Sequence, residues 1–284
     1  MSAGLVLALT STAACGADDP VDSSAEETPT DDASSTPAEP SDSPTTAEPP
    51  VTTLVYYLAD DPRGVRLARE PHELPTEGTA EAALAAMIAG PDDPDYATTW
   101  NPDTEVLGVE QDGKVITVDL SEEALGSEVG RDAAQRMAQQ LVYTVTEVLG
   151  ETSTVQLLIE GEEPDDGLWG EVSWTEPVPR EDPMVVRNLV QIDTPAEGGT
   201  SGRRLTVSGE AATFEATVPW RVFDGTGAVV RKGFTTAAEG MTLSPYSFTV
   251  RLEPGTYTVE VSEDDPSGGE GDPPRTDTRT VSVG

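Results

Sequence analysis

Cysteine and histidine are almost missing from this sequence, since each occurs once in 284 residues. One cysteine cannot form a disulfide within the chain, and a Cys/His zinc site needs several such ligands. His72 lies in the polar stretch REPHELP, which predicts a solvated loop rather than the oriented base of a catalytic triad. The sequence contains no phosphate-binding glycine loop ending in Lys-Ser or Lys-Thr. It therefore predicts no metal centre, no cofactor and no enzymatic activity.

Positive charge is also scarce, because 16 Lys and Arg residues face 53 Asp and Glu residues and the formal net charge is −37. Nucleic-acid binding depends on basic side chains that displace counterions from phosphates, so this function is excluded. Electrostatic adhesion to an anionic membrane is disfavoured for the same reason, and membrane attachment has to be covalent or hydrophobic. A highly soluble exterior explains the same charge balance.

Long apolar runs are missing as well, and the run from Leu5 to Leu9 is too short for a bilayer, which needs about 20 residues. Small residues follow it and lead to Cys15, a pattern that resembles a bacterial lipoprotein signal peptide. The resemblance implies a signal peptide over residues 1–15, with lipid attached to Cys15 at the outer face of a Gram-positive cell membrane. The first basic residue is Arg63, which indicates a true start upstream of Met1. The alternative is an uncleaved start with an incidental thiol.

Residues 16–53 consist almost entirely of Ala, Ser, Thr, Pro, Asp and Glu. Such a segment buries too little apolar surface to offset the entropy lost on ordering, so we expect a disordered acidic linker. Prolines and like charges favour an extended chain that reaches on the order of 100 Å. The segment is suited to holding a folded domain away from a membrane anchor.

Residues 54–176 predict a first folded domain of mixed α and β structure. LVYYL indicates a strand, and Thr79 is the expected N-cap of a helix that ends at Gly90-Pro91. TEVLGVEQDGKVITVDL has the pattern of a hairpin turning at Asp112-Gly113. A helix from Val129 to Leu149 carries one apolar stripe, and STVQLLIEG and GEVSW predict two further strands. Helices on one face of a small mixed sheet give an α+β layer.

The segments VYYLADD, MIAGP, QLVYTVTEV and VQLLIEG, in this order, resemble the GerMN domain. The blocks VDLS, LVYT and IEG are the most specific parts of this resemblance. The resemblance covers nearly the whole of residues 54–176. It implies a module similar to the ring-building motifs of envelope-spanning assemblies, without enzymatic activity. It also implies an association with sporulation and spore germination.

Residues 184–284 predict an all-β second domain, because apolar and polar residues alternate along several short segments separated by turn signals. One of the expected strands runs from Phe214 to Val222, and no helical segment is expected. The blocks GEAATFEATVPWRV and SFTVRLEPGTYTVEV resemble the immunoglobulin-like Gmad domain. Without a cysteine pair, the resemblance to immunoglobulins concerns architecture only.

Acidic loops and tryptophans are the remaining candidate site residues. The loops Glu162 to Gly167 and Glu263 to Asp272 offer oxygen atoms suited to Ca²⁺, but neither has EF-hand spacing, and solvated turns are the expected reading. Core or edge packing is likewise expected for the four tryptophans, which are Trp100, Trp169, Trp174 and Trp220. For Trp169 and Trp174, contact with a glycan is the alternative.

These features favour an exported, lipid-anchored envelope protein that acts as a non-enzymatic binding or assembly module. Its expected partners are the membrane, through the lipid, and an envelope protein or peptidoglycan. The alternative is a cell-wall glycan-binding protein or an accessory to a cell-wall hydrolase, which predicts clustered acids and tryptophans in a cleft. Self-association through the GerMN-like domain is the third hypothesis.

Overall fold

The computed structural model describes residues 48–165, 167–170, 172–265 and 270–284. They form an α+β domain followed by an all-β sandwich, which confirms the predicted fold class. The predicted signal peptide with Cys15, and the predicted linker up to residue 47, lie outside these residues. Within the described ranges, no helix combines the length and the apolar character needed to cross a membrane.

The described residues of the first domain form seven strands and two α-helices. In chain order they are β1 (Val51–Asp61), β2 (Gly64–Leu74), α1 (Thr79–Ala89), β3 (Tyr96–Ala97), β4 (Val106–Asp112), β5 (Val115–Leu120), α2 (Arg131–Leu149), β6 (Thr154–Ile159) and β7 (Val178–Pro179). The strands form two sheets, with the orders β2-β1-β3 and β4-β5-β6-β7. A 3-10 turn over Glu122–Gly126 precedes α2.

Strand β1 is buried on both faces, as a continuous apolar run predicts. Val55 and Tyr57 point into the main core, whereas Tyr56 and Leu58 join a smaller apolar cluster on the other face. The strand begins at Val51, three residues before the expected Leu54. Because its second face is also covered, β1 contributes to packing on both sides of its sheet.

Helix α2 lies across β1 and connects the parallel strands β5 and β6. Its predicted stripe is buried at Met137, Leu141 and Val145, and the helix ends at Gly150. The hairpin between β4 and β5 turns at Gly113, whose φ of 60° lies in the left-handed region that favours glycine. Both features confirm the sequence prediction.

Three local predictions for the first domain are wrong. His72 is not in a loop, because β2 pairs with β1 along its whole length, and Pro71 is tolerated since β2 is an edge strand. The helix α1 has Gly78 as its N-cap, and the Thr79 hydroxyl donates instead to the carbonyls of Pro75 and Thr76. In GEVSW, Val172 forms an isolated bridge with Leu168, and none of the described residues of this segment lies in a strand.

The second domain is a sandwich of two sheets around an apolar core. A one-turn helix, α3 (Pro183–Val186), precedes its strands β8 (Val190–Thr194), β9 (Gly199–Ser201), β10 (Arg204–Ala211), β11 (Thr217–Asp224), β12 (Val229–Thr236), β13 (Ser244–Arg251), β14 (Gly255–Ser262) and β15 (Thr276–Val283). One sheet has the order β13-β10-β8, and the other has the order β12-β11-β14-β15-β9.

In the described residues from 183 onward, helical turns occur in two places where none was expected. The helix α3 lies at the boundary between the domains, with the Asp182 side chain accepting from the Met184 backbone N–H at its start. Phe214–Ala216 is a 3-10 turn instead of the start of a strand, because Glu215 and Ala216 have positive φ angles. Strand β11 therefore begins at Thr217.

Candidate functional site

His72 lies half-buried on β2, beside a tyrosine and a glutamate. Its Nε2 atom is 3.0 Å from the Tyr57 hydroxyl and 3.4 Å from a carboxylate oxygen of Glu70. Burial alone would raise the pKa of Glu70, but the contact with His72 and two hydrogen bonds from the backbone N–H groups of Asp92 and Asp93 lower it. Glu70 thus fixes the turn that precedes β3.

The tryptophans of the first domain belong to its core. Trp100 and Trp169 pack edge to face with ring centroids 5.3 Å apart. The indole N–H of Trp169 donates to the Ala124 carbonyl at 2.9 Å, and that of Trp174 donates to the Val155 carbonyl at 2.8 Å. In the second domain, Trp220 stacks on Phe248 at 4.7 Å. Neither Trp169 nor Trp174 presents a free ring face for stacking on a sugar, since both are buried.

The two acidic loops do not form a cation site in the part of the chain that the structure describes. No group of three or more His, Cys, Asp or Glu residues converges there closely enough to hold a metal ion. In the second loop, Glu263 is occupied by a 2.6 Å ion pair with Arg275. Two of the features predicted from the sequence do meet, because Asp165 of the first acidic loop and Trp169 line one groove of the first domain.

Instead, the buried charged side chains of the described residues are concentrated between the two domains. All four of their buried arginines lie at this boundary and bind carboxylates. They are Arg69, Arg187, Arg275 and Arg279. We call the whole region the interdomain seam.

At the centre of the seam, Arg279 of β15 reaches the turn before β3 in the first domain. It forms buried ion pairs with Asp93 and, at 3.2 Å, with Asp277. It also donates to the Tyr96 hydroxyl at 2.8 Å and to the Ile192 carbonyl at 2.9 Å. Tyr96 in turn donates to Asp277 at 2.8 Å, so a side chain of the first domain completes a network that begins in the second.

Two carboxylates share this one guanidinium, and burial raises the pKa of both. Burial raises the pKa of Asp93 to about 7 against the attraction of Arg279, and the nearby Asp277 and Asp95 carboxylates act in the same direction as burial. Burial likewise raises the pKa of Asp277. For Arg279, burial would lower the pKa, but Asp277, Tyr96 and Asp93 raise it, so the arginine stays charged.

A second group of ions lies where β2 meets β8 and β10. Arg69 binds Asp193 through two parallel hydrogen bonds of 2.9 and 2.8 Å, the geometry that a guanidinium shares with a carboxylate. Glu210 bridges Arg69 at 3.0 Å and Arg187 at 2.7 Å. Burial would raise the pKa of Glu210, but the two arginines lower it. The Gln191 side chain also donates to the Arg69 carbonyl at 2.9 Å.

A third contact joins the tip of the β1–β2 hairpin to the second domain. Arg275 forms ion pairs with Asp61 at 2.5 Å and with Glu263 at 2.6 Å. Arg63 approaches Glu263 at 3.9 Å, at a more exposed position. Ions of the second domain therefore hold the hairpin at two points, at Asp61 near its tip and at Arg69 in the middle of β2.

The connecting segment is part of the seam. The Arg66 guanidinium donates to the carbonyls of Met184, Val185 and Arg187 at 3.0 to 3.1 Å, which are groups that the end of α3 leaves without helical partners. Val186 of α3 packs into the small apolar cluster with Tyr56. The segment between the domains is thus bound to the first domain.

The arrangement is suited to fixing two domains together, because each of its four buried arginines is paired with a carboxylate of the seam. A buried charge that loses its partner is strongly destabilising, so a movement of the domains that separates these ion pairs is costly. Sequence reasoning missed these residues. The available signal was in β15, where Asp277 and Arg279 occupy the same inward register as Val281.

Comparisons with known proteins agree with this division of the chain. A family model described as "Sporulation and spore germination" (Germane) matches residues 54–165. A second model, Gmad2, described as "Immunoglobulin-like domain of bacterial spore germination", matches residues 189–270. Neither description names an enzymatic activity. No curated protein matches the chain.

Three solved structures are similar to parts of the chain. The tandem GerMN domains of the sporulation protein GerM from Bacillus subtilis match at 19% identity and a TM-score of 0.39, over 51% of this chain and 49% of that one. The first GerMN domain of the same protein matches at 22% and 0.37, over 46% and 99%. A putative lipoprotein from Clostridium perfringens matches at 18% and 0.32, over 47% and 91%. The chain thus covers about half of the tandem-domain structure.

The two family models and the observed architecture lead to the same assignment. An α+β domain with two helices occupies the first matched range, and an all-β sandwich occupies the second. The chain therefore combines a GerMN domain with an immunoglobulin-like Gmad2 domain, two domain families associated with sporulation and spore germination.

Proposed function

We propose that this chain is a lipid-anchored envelope protein that acts as a non-enzymatic binding or assembly module, with the GerMN and Gmad2 domains presented to a partner as one body. The anchor is Cys15, and the acidic segment 16–53 is its tether. The partner is an envelope protein. The interdomain seam is the single observation that supports this proposal best.

The seam supports a binding role because it keeps surfaces of the two domains side by side. Four buried arginines and the carboxylates that face them hold the domains in one placement, so that surfaces of both domains are presented together. Burial of so many charges carries a desolvation cost, and apolar packing would have joined the domains at lower cost. A fixed placement lowers the entropy lost when a partner contacts both domains at once.

The alternative of glycan binding has less support. A groove of about 750 Å³ in the first domain is lined by Leu125, Glu128, Asp165 and Trp169, among others. However, Trp169 is only 9% exposed and its N–H is already bonded, so the groove lacks an aromatic platform. The groove combines few acids with a mostly apolar wall, which is unlike the acidic cleft that this alternative requires.

Affinity capture from detergent-solubilised host membranes tests the proposal. The bait is the full chain, and the controls are a chain truncated after Thr53 and the variant Arg279→Met, which weakens the seam. We expect specific envelope proteins to be recovered by the full chain, to be reduced with the variant and to be absent with the truncated chain.

Two outcomes would contradict the proposal. Recovery of peptidoglycan fragments alone would favour the glycan-binding alternative. Equal recovery by the full chain and by residues 1–53 would assign binding to the tether. Sedimentation of the purified full chain over a concentration series distinguishes a second copy of the chain from a different protein as the partner.

A further inference from the structure

A polar cavity opens at the interdomain seam, beside the buried network of Arg279. Its volume is about 530 Å³, within the range of about 300 to 1,000 Å³ that is usual for ligand pockets. The end of β1, the strand β3, the segment after α3 and the strand β15 all contribute to its wall. Residues of both domains are therefore needed to form it.

Two carboxylates of this cavity differ from the other acids of the seam. Asp61, Asp93, Asp193, Glu210 and Asp277 each face an arginine. Asp60 and Asp95, by contrast, form no ion pair among the described residues, although both are exposed and line the cavity. Asp95 accepts a hydrogen bond from the Thr278 hydroxyl, which leaves its negative charge without a cation. The pattern of acid facing cation is thus incomplete at this one place.

The Asn188 side chain is an independent sign of a ligand. It lines the same cavity and is 6% exposed, yet the described residues give its carboxamide no hydrogen-bond partner. Its backbone N–H, in contrast, donates to the Leu67 carbonyl at 2.7 Å, so its position is fixed. Buried polar side chains are normally hydrogen-bonded, which points to a polar group that enters the cavity.

The polar groups of the cavity wall favour an organic cation over a metal ion. The Asp277 oxygens already accept from Tyr96, Arg279 and the backbone N–H of Ile192, so they have little capacity left. Over the described residues no three acids converge on one point, as a Ca²⁺ site would require. Two separated carboxylates with an amide between the domains match the several donors of an organic cation instead.

We propose that this cavity binds a cationic side chain, an arginine or a lysine, of the partner protein. Asp60 and Asp95 supply the negative charge, and Asn188 supplies a hydrogen-bond acceptor. This inference rests on the proposed function, because it names the chemistry of the partner. It also explains how a partner contacts both domains at one point.

Nuclear magnetic resonance of the ¹⁵N-labelled full chain tests the inference. The probe is N-acetyl-arginine methylamide, and the matched probe is the citrulline compound, which has nearly the same shape but no charge. We expect the arginine compound to shift the Asn188 side-chain signals and the Thr278 amide signal. We expect the citrulline compound to leave them in place.

Charge variants locate the effect. Asp60→Asn or Asp95→Asn should weaken binding of the arginine compound by about twofold to fivefold, the range for one exposed ion pair. The control Asp103→Asn removes the same charge from an exposed position of the first domain and should leave the affinity unchanged. Identical spectra of the free variants and of the wild type elsewhere would show that the fold is retained.

Three results would overturn the inference. They are equal shifts with both compounds, equal weakening by Asp103→Asn, and stronger shifts of the same signals by CaCl₂ alone. The partner capture described above separates this failure from failure of the proposed function. If Asp60→Asn with Asp95→Asn captures the partner as well as the wild type does, the cavity inference fails while the binding module stands.

Discussion

The cores of the two domains and the seam between them are held together by different chemistry. Inside the GerMN domain, the residues that meet are apolar, such as Leu84, Leu141 and Trp174, all fully buried. Between the domains, the largest fully buried side chain is Arg279, and carboxylates surround it. Apolar cores tolerate some repacking, whereas a buried ion pair offsets its desolvation only when its geometry is close to ideal. The cores therefore provide stability, and the seam provides a defined placement.

Removal of Arg279 is the change that should damage the seam most. Arg279→Met leaves Asp93 and Asp277 buried without their cation, which should cost about 3–5 kcal/mol. Scanning calorimetry should show a lower transition temperature and separate unfolding of the two domains. The control Arg231→Met removes an exposed arginine of the same domain and should have little effect. An equal loss in both variants would contradict the distinction between seam and surface.

A cavity in the first core should lower stability without separating the domains. Leu141→Ala removes a fully buried side chain of α2 and should cost about 2–5 kcal/mol. Because the seam is intact, calorimetry should still show coupled unfolding. If this variant separates the transitions as Arg279→Met does, the coupling does not arise from the seam.

The protonation of Asp93 should make the seam depend on pH. Its pKa rises from 3.8 in the unfolded chain to about 7 in the folded protein, so the folded state binds more protons between these values. This contribution is complete below about pH 4 and is lost as the pH rises through about 7, by roughly 1–3 kcal/mol in all. Glu70 and Glu210 have lowered pKa values and lose their contributions only at acid pH, near or below about 4.5.

Chemical denaturation at about pH 5, 6, 7 and 8 measures this dependence. The free energy of unfolding should fall with rising pH in the wild type, and the fall should be smaller in Asp93→Asn. Parallel curves for the two proteins would show that Asp93 does not titrate in this window.

The predicted anchor should affect neither the cores nor the seam. Cys15→Ser should leave the unfolding transition unchanged while moving the protein from the membrane fraction of the host to the medium. Fractionation followed by mass spectrometry of the N-terminus measures both the location and the lipid. A variant that stays in the membrane fraction would contradict lipid attachment at Cys15.

The cores could be predicted from the sequence because apolar periodicity is a local signal. The stripe of α2 and the hairpin at Gly113 follow from residues that are close in the chain. The seam could not be predicted in this way, since Tyr96 and Asp277 are 181 positions apart. The strand β2 was missed for a related reason, because its Arg69, Glu70 and His72 resemble a solvated loop until their partners are known.

The candidate cavity illustrates the same limit. Asp60 and Asp95 are two acids among 53 and have no distinctive sequence context. These two acids are distinguished from the acids that face an arginine only in the folded protein, where β1, β3 and β15 together form the cavity wall. The sequence does predict the absence of a Cys/His metal cluster, because that depends on composition alone.

The binding of Arg66 to the end of α3 has a consequence for how this pair of domains can be recombined. A chimera that joins this GerMN domain and its linker to a different Gmad2 domain keeps the carbonyls that Arg66 binds but replaces Asp193 and Arg279, and it leaves Arg69 and Asp93 buried without their partners. Exchange of either module alone is therefore penalised, and an insertion in the linker would be as well. The two domains are expected to be inherited, and to be transplanted successfully, only as a single cassette.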